Sequence, residues 1–189
     1  MKELAKIKAH QRNIRIETFE TGGPLILVVG ELHDERHSEY YLLSGEKRPS
    51  GTIHRMIVRM LVNPDTMVIE DCELEMPGVP RDECGELAGS LSVIRGLSIT
   101  RGFSLKVKSL LGGVNGCTHV MSLVIEMAPA ALQGLWAIKS QRPMERSDLQ
   151  DDGRMKRFRD VLLNTCRIWR EDGPTYRELL ENIEKFKSK

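Results

Sequence analysis

Alternating polar and apolar residues dominate the first half of the chain and predict antiparallel strands. Residues 13–19 alternate, with Ile14 and Ile16 on one side and Arg15 on the other. A Gly-Gly-Pro turn follows, and residues 25–32 form an apolar, β-branched run, so the two stretches predict a hairpin. The next residues, 33–50, are mostly polar and contain glycine and proline, which favours a loop.

A second hairpin is predicted from residues 52–76. His54, Met56, Val58 and Met60 recur with a period of two and share one face of the first strand. An Asn-Pro-Asp turn separates them from a second alternating run at 67–76. Prolines at positions 77 and 80 end this strand, because proline cannot donate to a ladder of backbone hydrogen bonds.

Beyond the second hairpin, apolar residues recur every three or four positions and predict helices. The predicted helices cover residues 84–97, 104–111, 117–138, 154–169 and 175–187. Residues 141–153 are polar and charged and are typical of a linker. The predicted fold is therefore α+β: an antiparallel sheet of two hairpins packed on helices. We expect a core domain at 1–140, a linker at 141–153, and a helical tail at 154–189 packed on the core.

Charge and composition narrow the classes of function. The 189 residues contain 28 Lys plus Arg against 27 Asp plus Glu, a net charge of +1. Such a balance argues against nucleic acid as the partner, since that binding needs many cationic contacts to phosphates. No apolar run reaches the roughly 20 residues of a membrane span, and the first residues do not resemble a secretion signal. We therefore expect a cytoplasmic protein with free thiols and no membrane contact.

The segment at residues 111–119 brings reactive side chains to a predicted helix start. Its glycines lead into Cys117 and His119, where unpaired backbone N–H groups and the positive end of the helix favour a thiolate. A thiolate and an imidazole two residues apart suit zinc or iron. The alternative is that Cys117 is a small buried apolar residue and His119 a cap or surface residue.

Two further residues complete a candidate metal site. Cys84 also begins a predicted helix, and His54 lies near the start of a strand. Together His54, Cys84 and Cys117 would supply three ligands for zinc or iron, with His119 as a fourth. His33 and Asp34 are weaker candidates for orienting or general-base roles, because a loop of this composition is usually a solvated surface.

Particular motifs make the chain similar to a bacterial domain-of-unknown-function family, numbered 2889. The resemblance spans about residues 10–132 and includes the context of His54, Cys84 after the prolines, and the Gly-Cys-Thr-His run at 116–119. The order of elements also resembles iron–sulfur cluster assembly scaffolds, in which three thiolates converge at one end of a sheet. By position that resemblance implies His54, Cys84 and Cys117 as ligands, with imidazole replacing the first thiolate.

Three hypotheses about function remain open at this point. The first is a metal-binding protein that holds zinc or iron through His54, Cys84, Cys117 and His119. The second is a metal-free thiol enzyme in which Cys117 is the nucleophile and His119 or His54 its base. The third is a non-catalytic interaction module with structural Cys and His residues, whose charged C-terminal helices contact a protein partner. An unknown small molecule or protein is the expected partner.

Overall fold

The computed structural model has the α+β architecture that the alternation predicts, and it describes residues 2–141, 143, 145 and 152–187. The strands are β1 (His10–Glu20), β2 (Ile26–Arg36), β3 (Tyr40–Tyr41), β4 (Lys47–Arg48), β5 (Gly51–Val62) and β6 (Ile69–Gly78). The α-helices are α1 (Phe103–Leu111), α2 (Thr118–Lys139), α3 (Asp152–Leu162) and α4 (Pro174–Lys187), and 3-10 helices lie at Lys2–Leu4, Asp82–Ile94 and Gly113–Asn115. The four long strands form one antiparallel sheet in the order β1-β2-β5-β6, as expected for two adjacent hairpins.

Strand β2 is longer than the sequence pattern predicts. It continues to Arg36, and its register with β1 holds from Glu20↔Ile26 to His10↔Arg36. The loop prediction for residues 33–50 is therefore wrong over 33–36, and β3 and β4 form a short hairpin within the remainder. The physical reason is that β2 is central: β1 and β5 supply hydrogen-bonding partners on both sides, which hold the strand extended although its side chains become polar.

One face of the sheet carries the hydrophobic core. The inward side chains of β2 and β5 are almost fully buried, as the period of two predicts for Met56, Val58 and Met60. The opposite face carries charged side chains, among them Arg59, which donates hydrogen bonds to Glu73 and Glu75 of β6. Within the described part of residues 1–138, buried apolar side chains thus lie on one face of the sheet and charged side chains on the other, which is usual for antiparallel sheets.

Helix α2 lies over the inward face of the sheet, and its first turn lies above the last residues of β2. A Cβ atom on Gly30 would lie 2.6 Å from the sulfur of Met127 and 3.1 Å from Leu123, so glycine permits this close approach. Eight helical residues from Met127 back to His119 span about 12 Å, and four strand residues from Gly30 to Asp34 span about 13 Å. Because these two distances from the Gly30–Met127 contact are nearly equal, the start of α2 lies above the Asp34 end of β2.

The predicted helix at 84–97 is a 3-10 helix over Asp82–Ile94. Glycines at 85 and 89 and serines at 90 and 92 have low α-helix propensity, which explains the departure from an α-helix. The helices predicted at 104–111 and 117–138 are confirmed, with Pro129 inside the second.

The chain divides into two compact units, Met1–Ile138 and Lys139–Lys189. Helices α3 and α4 belong to the second unit, and the helix predicted at 154–169 ends at Leu162. There Asn164 adopts a left-handed backbone (φ 59°), and its side-chain oxygen accepts the N–H of Glu171. The predicted linker at 141–153 lies mostly outside the described residues, and the packing of the tail on the core stays a prediction.

Among the described residues, one helix is long and apolar enough to cross a membrane by length and composition. It is α2, with a mean hydropathy of 1.4 in its most apolar window. Seven of its residues are buried in the core, including Leu123, Val124 and Met127. A core helix of a soluble domain passes the same test, so this is weak evidence for a membrane span.

Candidate functional site

The site lies at the end of the inward face of the sheet, where three polar residues stand side by side. Asp34 on β2 is in register with Arg12 on β1 and with His54 on β5. Adjacent strands are about 4.8 Å apart, so residues paired in this way have side chains within reach of each other. The sheet itself therefore aligns a guanidinium, a carboxylate and an imidazole in one row.

Asp34 is the centre of the site and is only 2% exposed. Its two oxygens accept hydrogen bonds from Arg12, Oδ1 from Nε at 2.7 Å and Oδ2 from Nη2 at 2.6 Å. This bidentate bond holds the pKa of Asp34 below its ordinary value, although burial acts in the opposite direction. The ring of His10 adds a further contact, with Nε2 3.5 Å from Oδ1. The carboxylate is therefore ionised at neutral pH.

Two imidazoles meet the remaining side of this carboxylate. Nδ1 of His54 lies 3.2 Å from Oδ2 of Asp34, and Nε2 of His119 lies 3.7 Å from the same oxygen. The two rings stack, with centroids 3.9 Å apart and planes inclined by 29°. His119 reaches the sheet because it is in the first turn of α2, the part of the helix that lies above the end of β2.

Burial keeps both imidazoles neutral. It is the largest cause that lowers the pKa of His54, and the nearby charges of Arg12 and Arg36 act in the same direction. Burial likewise lowers the pKa of His119, with the neighbouring His54 as the next cause. Asp34 opposes these effects for both rings but does not overcome them. Each ring therefore has a lone pair on one nitrogen at neutral pH.

Cys117 extends the site at the start of α2. Its Sγ lies 3.5 Å from Nδ1 of His119, and its backbone carbonyl accepts the N–H of Met121 at 2.8 Å. The preceding Gly116 is required by packing, because a Cβ there would lie 2.6 Å from the carbonyl oxygen of Leu111. The glycines before α2 thus let the chain turn closely against α1 and present Cys117 and His119 together.

Of the four predicted ligands, His54, His119 and Cys117 form a chain of contacts. Within the described part of the molecule, one ligand atom from each of Asp34, His54 and His119 lies within 4.8 Å of the others, and this group includes neither Cys117 nor Cys84. Cys84 is partly exposed in the 3-10 helix Asp82–Ile94. Metal coordination by the four predicted residues stays a prediction.

Sequence reasoning ranks Asp34 too low and does not identify Arg12 or His10. The error follows from the loop assigned to residues 33–36. The alternation of β2 continues through Leu32 to Asp34, and the strand pattern of β1 extends back to Arg12. The signal in the sequence is this alternation, which places Asp34 on the same side of β2 as the buried Leu32. His33 faces the other side, where Nε2 lies 2.8 Å from Oγ1 of Thr52.

Comparison with known proteins confirms the family resemblance. The model of a family described as "Protein of unknown function (DUF2889)" matches residues 10–133. No curated protein and no solved structure matches the chain. The resemblance to iron–sulfur scaffolds stays a prediction. The matched region contains all the residues of the site described above.

Proposed function

We propose that this chain, which belongs to the DUF2889 family, binds one transition-metal ion, zinc or iron, through Asp34, His54 and His119. The observation that carries the proposal is the convergence of three ligand atoms within 4.8 Å of one another, contributed by three separate elements. Two imidazoles and one carboxylate are the donor set of many catalytic zinc sites and of non-haem iron(II) sites.

Two of the three separations between the ligand atoms are close to those expected around one ion. Zinc bonds to nitrogen and oxygen are about 2.1 Å long, so two ligand atoms on one tetrahedral ion are about 3.4 Å apart. The separations of 3.2 and 3.7 Å between Oδ2 of Asp34 and the two ring nitrogens lie on either side of that value. The lowered pKa of each histidine supports binding as well, because only a neutral imidazole coordinates a metal.

Three protein ligands leave at least one position on the ion open. Cys117 contacts Nδ1 of His119, the nitrogen that does not face Asp34, and lies outside the group of three ligand atoms, so we expect it to orient this ring rather than to coordinate the ion. If a solvent molecule takes the open position, the ion can act as a Lewis acid or lower the pKa of bound water. The donor set is thus more typical of a catalytic site than of a closed structural one.

Metal analysis tests the proposal directly. We expect untagged protein to contain about one zinc or iron ion per chain, and apo-protein to take up Zn²⁺ in competition with a chromophoric chelator. His54→Gln, His119→Gln and Asp34→Asn should each weaken Zn²⁺ binding by at least the roughly 10- to 100-fold known for the loss of residues that merely support metal ligands.

His33→Gln is the matched control. His33 is next to Asp34 in the same strand but faces the other side of the sheet, so its loss should leave Zn²⁺ affinity unchanged. Protein without metal and without Zn²⁺ uptake would contradict the proposal. An equal loss of affinity in His33→Gln would contradict this choice of ligands.

A metal-free thiol enzyme is the second candidate, and a specific arrangement favours it. Cys117, His119 and Asp34 are linked in the order nucleophile, base and orienting carboxylate, with separations of 3.5 and 3.7 Å. In such an arrangement the imidazole accepts the thiol proton and the carboxylate stabilises the imidazolium that results. The 3.7 Å separation is longer than a hydrogen bond, so this arrangement would have to tighten when a substrate binds.

Alkylation of the metal-free protein by iodoacetamide, followed by mass spectrometry, tests this second candidate. We expect Cys117 to react faster than the exposed Cys166, and His119→Gln to abolish the difference. If Cys166 reacts as fast as Cys117, the candidate fails. Absence of both metal and a reactive Cys117 would leave the interaction module as the remaining hypothesis. Placement in the cytoplasm belongs to the proposal, because a reducing compartment keeps Cys117 available.

A further inference from the structure

The Arg12–Asp34 pair suggests what else the metal site binds. Asp34 offers its oxygens both to Arg12, at 2.6 and 2.7 Å, and to the proposed ion. An oxygen that coordinates a cation is a weaker acceptor for a guanidinium, so the ion competes with Arg12 for this carboxylate. Asp34 is held in a buried strand, whereas the Arg12 side chain is 39% exposed. When the two compete, Arg12 is the partner that can move.

When Arg12 is displaced from Asp34, its positive charge adds to that of the metal ion, and the Asp34 carboxylate does not balance both. Asp34 is the carboxylate that contacts Arg12, His54 and His119. A divalent cation adds two positive charges beside this single negative charge and leaves Arg12 without its partner, which favours an anionic ligand at the loaded site.

The geometry points to a carboxylate as that ligand. Nε and Nη2 of Arg12 donate hydrogen bonds to the two oxygens of the Asp34 carboxylate. The same two donors can bind the carboxylate of another molecule in the same way. We propose that ion binding releases Arg12 from Asp34, and that Arg12 and the ion together bind the carboxylate group of a small-molecule ligand. This inference rests on the proposed metal site and assigns the class of its ligand.

Cobalt(II), which has a visible spectrum, can serve as the probe metal on the full chain. We expect acetate, compared with chloride at equal ionic strength, to change the Co²⁺ spectrum and to tighten Co²⁺ binding by about 5-fold or more, the lower end of typical coupling between two sites. Arg12→Gln should bind Co²⁺ at least as tightly as the wild type without acetate, because the competitor for Asp34 is gone, but should lose the effect of acetate.

Two further variants define the role of Arg12. Arg15→Gln is the matched control, since Arg15 is on β1 but is exposed and pairs with Glu17. It should retain the full acetate effect. Arg12→Lys keeps the charge without the two-pronged donor, so it should fold if Arg12→Gln does not and should show a reduced acetate effect.

The outcomes separate this inference from the proposed function. If the wild type does not bind Co²⁺, the metal site itself is refuted. If Co²⁺ binds but acetate has no effect, or the same effect in Arg12→Gln, only the role of Arg12 is refuted. If inorganic phosphate tightens Co²⁺ binding more than acetate does, the assignment of a carboxylate ligand is overturned.

Discussion

The two ends of the inward sheet face have the same strands and very different chemistry. At one end Val28, Met60 and Val62 are completely buried against other apolar side chains. At the other end the same strands carry Asp34 and His54, and β1 adds Arg12. The body of α2 covers the apolar part, whereas the first turn of α2, with His119, meets the polar end. One sheet thus combines a packing surface and a polar site.

The comparison shows that burial alone does not define a core. The exposure of Asp34, 2%, falls within the 0–8% range of the apolar core residues, yet Asp34 retains its charge because Arg12 and two imidazoles surround it. Among the described side chains, no buried nitrogen or oxygen atom lacks a hydrogen-bond partner. The polar end is therefore a fully hydrogen-bonded network. Removal of one member leaves a buried polar group without a partner, which lowers the free energy of unfolding.

The largest effect on stability is expected at the apolar end. Met60→Ala removes a side chain with 0% exposure and leaves a cavity, so the free energy of unfolding should fall by about 2–5 kcal/mol. Ile14→Ala, on the same face but 41% exposed, should cost less than about 1 kcal/mol. Denaturant unfolding of both variants measures the difference. Equal losses would contradict the assignment of the core to this end.

At the polar end, substitution of Arg12 should lower the free energy of unfolding more than substitution of Asp34. Arg12→Ala leaves a buried carboxylate without its main partner and should cost about 2–3 kcal/mol, below the usual 3–5 because Arg12 is partly exposed. Asp34→Asn should cost less, since Arg12 can turn to solvent. The Arg12→Ala/Asp34→Asn double variant should recover part of the loss, and denaturant unfolding of all three measures this coupling.

An arginine–carboxylate pair on the open face is the control for that coupling. Arg59 contacts Glu73 and Glu75, whose side chains are 66% and 53% exposed. Water screens such pairs, so Arg59→Ala should cost no more than about 1 kcal/mol. If Arg59→Ala is as destabilising as Arg12→Ala, burial of Asp34 is not the reason for the sensitivity of the site.

The strands at the apolar end follow from the sequence, because one-sided burial imposes a period of two that can be read directly. The same period places His54 on the inward face. Asp34 is harder to identify, since a polar residue at the end of β2 fits a solvated loop equally well. What decides its burial is its register with Arg12 and His54, a long-range property that depends on two other strands.

The helix starts show a similar limit. The glycines and the Cys117–His119 pair indicate a chemically active helix start, and the contact between these two residues is present. The sequence does not reveal which end of the sheet α2 begins above. That depends on the close approach at Gly30, where Met127 fills the space a side chain would occupy.

The smallest expected effect is the dependence of the free energy of unfolding on pH. It arises at the polar end, because the titrating residues His54 and His119 lie there. In metal-free protein, burial lowers the pKa of His54 and His119 below the ordinary value of 6.5. Above that value both rings are neutral in the folded and unfolded states, so they do not make stability depend on pH. As pH falls below it, the unfolded chain takes up protons first, and the free energy of unfolding decreases until the folded rings are protonated as well.

Denaturant unfolding with a chelator present, from about pH 7.5 to about pH 5, measures this decrease. The wild type should lose stability on acidification, and His54→Gln and His119→Gln should each show a smaller loss. Asp34 does not contribute in this range, because its pKa lies below an ordinary value of 3.8. A steeper loss in either ring variant would mean that these rings are stabilised in their charged form, contrary to the burial that now explains their neutrality.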